Sequence, residues 1–159
     1  AGTPFLGICL GHQLATVALG GQVCTSDHFC LGAAEMHLTP EGKKDPLLSV
    51  YDGHRGIHFN NDVAVVLPED AVLLARDPTG QIEAVRFAER AWGVQFHPEC
   101  TPEIFDAWTI GHGEKEWQQR LPWSEAVTVA ETVRRDIDTV NAEEAFAARF
   151  QELIDPEKR

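Results

Sequence analysis

The pentapeptide Gly7-Ile8-Cys9-Leu10-Gly11 joins two segments of opposite character. Before it, Pro4-Phe5-Leu6-Gly7-Ile8-Cys9 is a short apolar run of the kind found in buried parallel strands. After it, His12 to Leu19 places Leu14, Val17 and Ala18 on one helical face, and Gly20-Gly21 ends the helix. A strand that passes into a helix through G-x-C-x-G predicts a sharp, strained turn with a thiol at its apex. Gly7 and Gly11 are expected to leave room for the bend and for helix–strand packing. A thiol at a helix start is favoured as its reactive thiolate, and the backbone N–H of Leu10 would face a developing oxyanion. Against this stands the plain alternative that Cys9 is a small buried hydrophobe.

A second segment favours the nucleophile. Gly93-Val94-Gln95-Phe96-His97-Pro98-Glu99 closes a strand, where residues two apart point to the same side, so His97 and Glu99 can lie together while Pro98 blocks a helix. A base with its orienting carboxylate follows: His97 would take the thiol proton and later return one to a leaving amine, and Glu99 would fix the imidazole tautomer.

Further strands are predicted at residues 22–23, 33–39, 56–59, 63–67, 72–75, 82–87 and 91–96, separated by turn chemistry such as Asp77-Pro78-Thr79-Gly80. Thr101-Pro102 is an N-cap followed by proline, and helices are predicted over 102–110, 125–140 and 142–154. Asn141 and Glu144 have capping-box spacing before the last of them. Strand and helix at the start, strands in the middle and helices at the end make one mixed α/β domain.

Together the two segments resemble the class I, triad-type glutamine amidotransferases. Gly7-Ile8-Cys9-Leu10-Gly11-His12-Gln13 is similar to their nucleophile motif, and Phe96-His97-Pro98-Glu99 to their His–Glu motif. The Asp62-Val63-Ala64-Val65-Val66-Leu67-Pro68 segment is also similar, and Thr101-Pro102-Glu103 resembles stand-alone members related to the amidotransferase domain of GMP synthase. The resemblance implies a flavodoxin-like, three-layer α/β fold with a mostly parallel central sheet. It implies that Cys9, His97 and Glu99 form a triad, and that Cys9 attacks the side-chain amide of glutamine to give a γ-glutamyl thioester, releasing ammonia. Leu10 carries over as an oxyanion donor and Gln13 as a substrate contact, with Gly11 between them in the binding group. Such domains feed ammonia to a synthetase, and nothing here resembles a nucleotide-binding loop, so a separate synthetase subunit is the implied partner and no cofactor is expected.

The family places about half of its parallel sheet and a glycine-rich loop before the nucleophile turn. Here the chain starts Ala1-Gly2-Thr3-Pro4 and enters the strand at once, so residues 1–159 are expected to be a partial, N-terminally truncated amidotransferase domain. The nucleophile strand would then be an open apolar edge, and one oxyanion donor would be lost, lowering turnover about 10²–10³-fold. Poor folding, association or slow catalysis is the corresponding expectation. A second departure is His58-Phe59-Asn60-Asn61-Asp62, where relatives carry a His-Gly-Asp-like turn; this bears on the substrate side. Hydrolysis of a γ-glutamyl peptide or amine by the same thioester is therefore one alternative, and a non-catalytic regulatory subunit is another.

Composition narrows the partners. With 13 basic and 25 acidic side chains the net charge is −12, and no basic tail or stripe exists to meet nucleic acid or an anionic membrane. Without a membrane-spanning run or a secretory signal, a cytoplasmic location is expected. Four cysteines are too few and too irregular for a disulfide scaffold. Cys24, His28, Cys30 and His37 are metal-ligand types without a metal-ligand spacing, so they read as ordinary loop residues and no metal is expected. Cys100 reads as packing and His112 as a solvated loop residue. Trp92, Trp108, Trp117 and Trp123 suit core or subunit packing, which leaves room for a homo-oligomer.

Overall fold

A computed structural model describes residues 3–109, 122–140 and 142–155. Strand β1 (Phe5–Ile8) runs into helix α1 (Leu10–Ala18), and two long strands follow at β2 (Gln22–Glu35) and β4 (Arg55–Val66), with the short β3 (His37–Leu38) between them. Then come β5 (Val72–Arg76), β6 (Ile82–Ala88), β7 (Ala91–Val94), and helices α2 (Pro102–Trp108), α3 (Trp123–Val140) and α4 (Glu143–Ile154).

Five strands form one sheet in the order β1-β7-β6-β5-β3, and β2 pairs with β4 in a second. The expected parallel pairing is present between β1 and β7; β7–β6, β6–β5 and β5–β3 are antiparallel, so the sheet is mixed. For β5–β6 and β6–β7 the short loops are the reason. Only Glu89 and Arg90 separate β6 from β7, and a parallel crossover needs a dozen residues or more.

Alternation along β1 and β7 builds the layers. Leu6, Ile8, Trp92 and Val94 point to a core that also holds Phe146, Phe150 and Leu153 of α4. The intervening Gly7 and Gly93 face α1: a Cβ on Gly7 would lie 2.6 Å from the Gly11 backbone, and one on Gly93 2.5 Å from the His12 ring. Helices therefore cover both faces of the sheet beside the turn at Cys9. Helices α2 and α3 pack on the β2–β4 pair through Phe105, Val133, Ile137, Ile57 and Cys100, so Cys100 is a packing residue as expected. No described helix is long and apolar enough to cross a membrane.

Several local expectations change. Cys24 to Cys30 is strand, not loop, because Cys24 and Cys30 pair with Val63 and Asn60 across the sheet; the four residues between Thr25 and Cys30 are accommodated as a bulge. The strands expected at 56–59 and 63–67 are one continuous strand, β4, which also takes in Asn60 to Asp62. Gly11 has nothing within 4 Å of a built Cβ, so the packing argument holds for Gly7 alone. Helix α1 starts two residues earlier than expected, at Leu10, and α3 at Trp123. Asn141, His112 and Trp117 lie outside the described residues.

One buried carboxylate ties the scaffold together. Asp45 accepts the N–H groups of Leu47 (2.9 Å) and Leu48 (3.0 Å) and the indole N–H of Trp92 (3.2 Å), and pairs with Arg86 at 3.1 Å. Asp45→Ala is expected to cost about 3 kcal/mol or more, since it leaves several buried donors and a cation without a partner. A lowered urea midpoint with an unchanged denaturant slope would report it.

Candidate active site

The parallel register of β1 and β7 brings the two motifs together. Ile8 lies opposite Val94, and the Cys9 N–H donates to the Val94 carbonyl at 2.8 Å, so both chains leave the sheet side by side at its carboxyl edge. Cys9 follows β1 directly and His97 comes three residues after β7.

Cys9 has φ 46° and ψ −103° and is the one non-glycine residue with positive φ among the described residues. Such strain persists where the surroundings over-determine it. Here they do: the strand fixes the N–H of Cys9, and its carbonyl accepts the Gln13 N–H at 3.0 Å as the first helical bond of α1. Helix geometry leaves the N–H groups of Leu10 and Gly11 without intrahelical acceptors beside the thiol. The Leu10 side chain itself is exposed.

His97 is held by its own N–H, which donates to the Ile57 carbonyl at 2.8 Å. Its Nδ1 lies 2.7 Å from Glu99 Oε1, and Trp108 of α2 packs on the ring with centroids 4.5 Å apart. Nε2 is buried without an aligned hydrogen bond, although Cys9 is near enough to act on the ring. Catalytic hydrogen bonds are often loose before substrate arrives. Burial opposes protonation of His97, but hydrogen bonding and charge interaction with Cys9 and Glu99 outweigh it, and the pKa is raised from 6.5 to about 9. The stability contributed by the charged ring is thus full below pH 6.5 and is lost as pH rises through about 9. Glu99→Gln is expected to flatten that decline, as read from urea midpoints across this window.

Gln13 is buried, and its amide donates to the Asp62 carbonyl at 2.7 Å and to Gln95 Oε1 at 3.1 Å. Gln95 in turn donates to Cys9 Sγ at 3.5 Å. Gln13 therefore reaches the Cys9 thiol through Gln95, a residue to which the motifs assign no role. The sequence does carry a signal for it: Gln95 stands two residues before His97, on the same side of an extended chain. The contact of Trp108 with His97 has no comparable signal, because it depends on how α2 folds back.

His12 is fully buried behind the turn, stacked on Phe87, and burial lowers its pKa to about 4, so it is neutral. Among the described residues no group of three or more His, Cys, Asp or Glu side chains converges as a metal site. A groove of about 460 Å³ beside the turn is lined by Phe5, Leu14, Ala15, Leu19, Phe87 and Ala91, along the outer strand β1.

A family model, glutamine amidotransferase class-I, matches residues 1–111. The chain belongs to the class I glutamine amidotransferases. The glutamine-hydrolysing GMP synthase of Marinobacter nauticus is 37% identical over 115 residues, covering 63% of this chain and 20% of that protein. One subunit of the glutamine-hydrolysing GMP synthase of Methanothermobacter thermautotrophicus is 34% identical over 101 residues, covering 60% of this chain and 51% of that one. This amidotransferase chain thus spans about half the length or less of these curated relatives. A glutamine amidotransferase from Thermotoga maritima has the same fold, with a TM-score of 0.75 at 20% identity over 96% of this chain and 63% of that one.

Proposed function

We propose that the chain carries the glutamine-hydrolysing half of an amidotransferase, with Cys9, His97 and Glu99 as its triad. The observation that carries this reading is a strained cysteine at a helix start beside a histidine whose Nδ1 is 2.7 Å from a carboxylate, on adjacent parallel strands. The family supports the same chemistry, and the relatives named above are glutamine-hydrolysing.

In this reading the Cys9 sulfur attacks the side-chain carbonyl carbon of glutamine, and the carbonyl oxygen becomes an oxyanion facing the N–H groups of Leu10 and Gly11. The imidazolium of His97 gives its Nε2 proton to the leaving nitrogen, the C–N bond breaks, and ammonia departs from a γ-glutamyl thioester. Water then gives one proton to His97 and attacks the thioester, restoring the thiolate–imidazolium pair and yielding glutamate. Glu99 keeps Nδ1 protonated throughout, which leaves Nε2 to face the reacting atoms. Gln95 and Gln13 hold the sulfur in place. The Methanothermobacter relative is named as one subunit of its synthase, which favours a synthetase on a separate chain for receiving the ammonia.

Paired assays for glutamate and ammonia test the reading. Equal release from glutamine, with little from asparagine, is the expected result. Release only from γ-glutamyl peptides or amines would move the assignment to a γ-glutamyl hydrolase, and no release from either would refute a catalytic role for this chain.

A further inference from the structure

Strands β4 and β6 belong to different sheets, yet a buried pair joins them behind the site. His58 is 3% exposed and Glu83 1%, and His58 Nε2 lies 2.7 Å from Glu83 Oε2. The other ring nitrogen, Nδ1, is 3.0 Å from the Gly56 carbonyl oxygen, which can only accept. Nδ1 therefore holds a proton, and a second proton lies between Nε2 and the carboxylate. Burial opposes a cationic ring, but Glu83 and the Gly56 carbonyl outweigh it and raise the His58 pKa, so the pair is imidazolium and carboxylate.

What this pair grips is the backbone of the proposed catalytic segment. The Ile57 carbonyl, next to His58, accepts the His97 N–H at 2.8 Å, and the carbonyl of Glu83 itself accepts the Gln95 N–H at 2.8 Å. Between them, Gly56 sits so close to Phe96 that a Cβ would lie 2.7 Å from the Phe96 Cβ. Three successive residues, Gln95, Phe96 and His97, thus rest on strands whose mutual placement His58 and Glu83 fix. The two cationic rings of His58 and His97 also disfavour each other.

We propose that His58 and Glu83 form a positioning pair for His97, clamping β4 to β6 under its backbone and setting a cation behind it that opposes the pull of Glu99. This rests on the triad reading above. The titratable groups facing His97 are Cys9 from the nucleophile turn, Glu99 from its own segment and His58 from β4; those facing Glu83 are His58 and, from β2, Cys30.

Two variants of the same chain test it. His58→Leu/Glu83→Leu replaces a buried ion pair with apolar volume, a change that commonly leaves stability equal or higher. Turnover of glutamine is expected to fall about tenfold or more with KM little changed, and NMR titration of the His97 ring is expected to move up by about half a pH unit. Glu83→Gln removes the counter-charge, so His58 becomes neutral, keeps Nδ1–H on the Gly56 carbonyl and accepts at Nε2 from the glutamine side-chain N–H. The clamp is kept, so turnover should recover towards wild type while the titration stays displaced. A double variant that folds and retains both wild-type turnover and the wild-type titration overturns the proposal. So does a loss of turnover that follows a lowered urea midpoint with His97 titrating as before. If the double variant does not fold, the titration in Glu83→Gln decides, an unmoved value being the contrary result. The titration needs no turnover, so wild-type protein without glutaminase activity would sink the triad reading while the His58–Glu83 proposal is still judged on His97 itself.

Discussion

Cys9→Ala is expected to lower glutamine hydrolysis by on the order of 10⁴-fold or more, the scale on which removal of a covalent nucleophile acts. The size follows from the mechanism. Every other proposed contribution, from the Leu10 N–H to the His97 proton, acts on a bond that the sulfur must first make. The fold should be insensitive to the change, because the turn is set by backbone contacts: the Cys9 N–H to Val94, the Cys9 carbonyl to Gln13, and the Gly7–Gly11 approach. Losing a side chain from a strained position does not remove those bonds. Steady-state ammonia release together with urea unfolding would check both halves, and residual activity above about a hundredth of wild type would point to another nucleophile.

His97→Asn is the second large effect, expected at roughly 10²–10⁴-fold in turnover. Asparagine can still hydrogen bond to Glu99, so the segment should stay folded while proton transfer is lost. The rate of Cys9 alkylation should fall as well, because the thiolate loses its imidazolium partner. The pH profile separates this from a general loss of structure. Wild-type turnover is expected to change as pH rises through about 9, where His97 gives up its proton, and the residual turnover of the variant should lack that step.

The strand-to-helix turn at Cys9 was legible in the sequence because its determinants are local. A buried strand, a glycine without room for a Cβ and a helix start occur within a few residues of Cys9, and backbone geometry does the rest. The contact between His97 and Glu99 was legible for a similar reason, two residues apart across a proline. The long strands were not. Cys24 to Cys30 and Asn60 to Asp62 are polar and lack an alternating pattern, and only pairing with each other makes them strand. Antiparallel order in the main sheet followed from short loops already visible at Asp77 to Gly80, where Asp77 accepts the N–H groups of Thr79 at 2.9 Å and Gln81 at 2.8 Å. Gln95, Trp108 and the His58–Glu83 pair depend on contacts between distant segments. Of these, Glu83 had the clearest trace, a carboxylate inside the apolar run Ile82-Glu83-Ala84-Val85, which needs a buried partner that sequence order alone does not name.

The apolar surface around β1 and α1 bears on what an assay of this chain will show. Phe5, Leu10, Leu14, Val17 and Leu19 are all at least 42% exposed, on the outer strand of the sheet and the adjoining helix. Exposed apolar patches of this kind favour association. Activity measurements therefore belong beside a determination of oligomeric state at the same concentration.

The most direct test of the central claim is covalent labelling with an electrophilic glutamine analogue, read by intact mass and by mapping the modified peptide. A single adduct on Cys9, blocked by excess glutamine and lost in Cys9→Ala, is the expected outcome. Labelling that spreads over the exposed Cys24 and the half-buried Cys30, or that glutamine does not compete, would contradict a glutamine pocket built on Cys9.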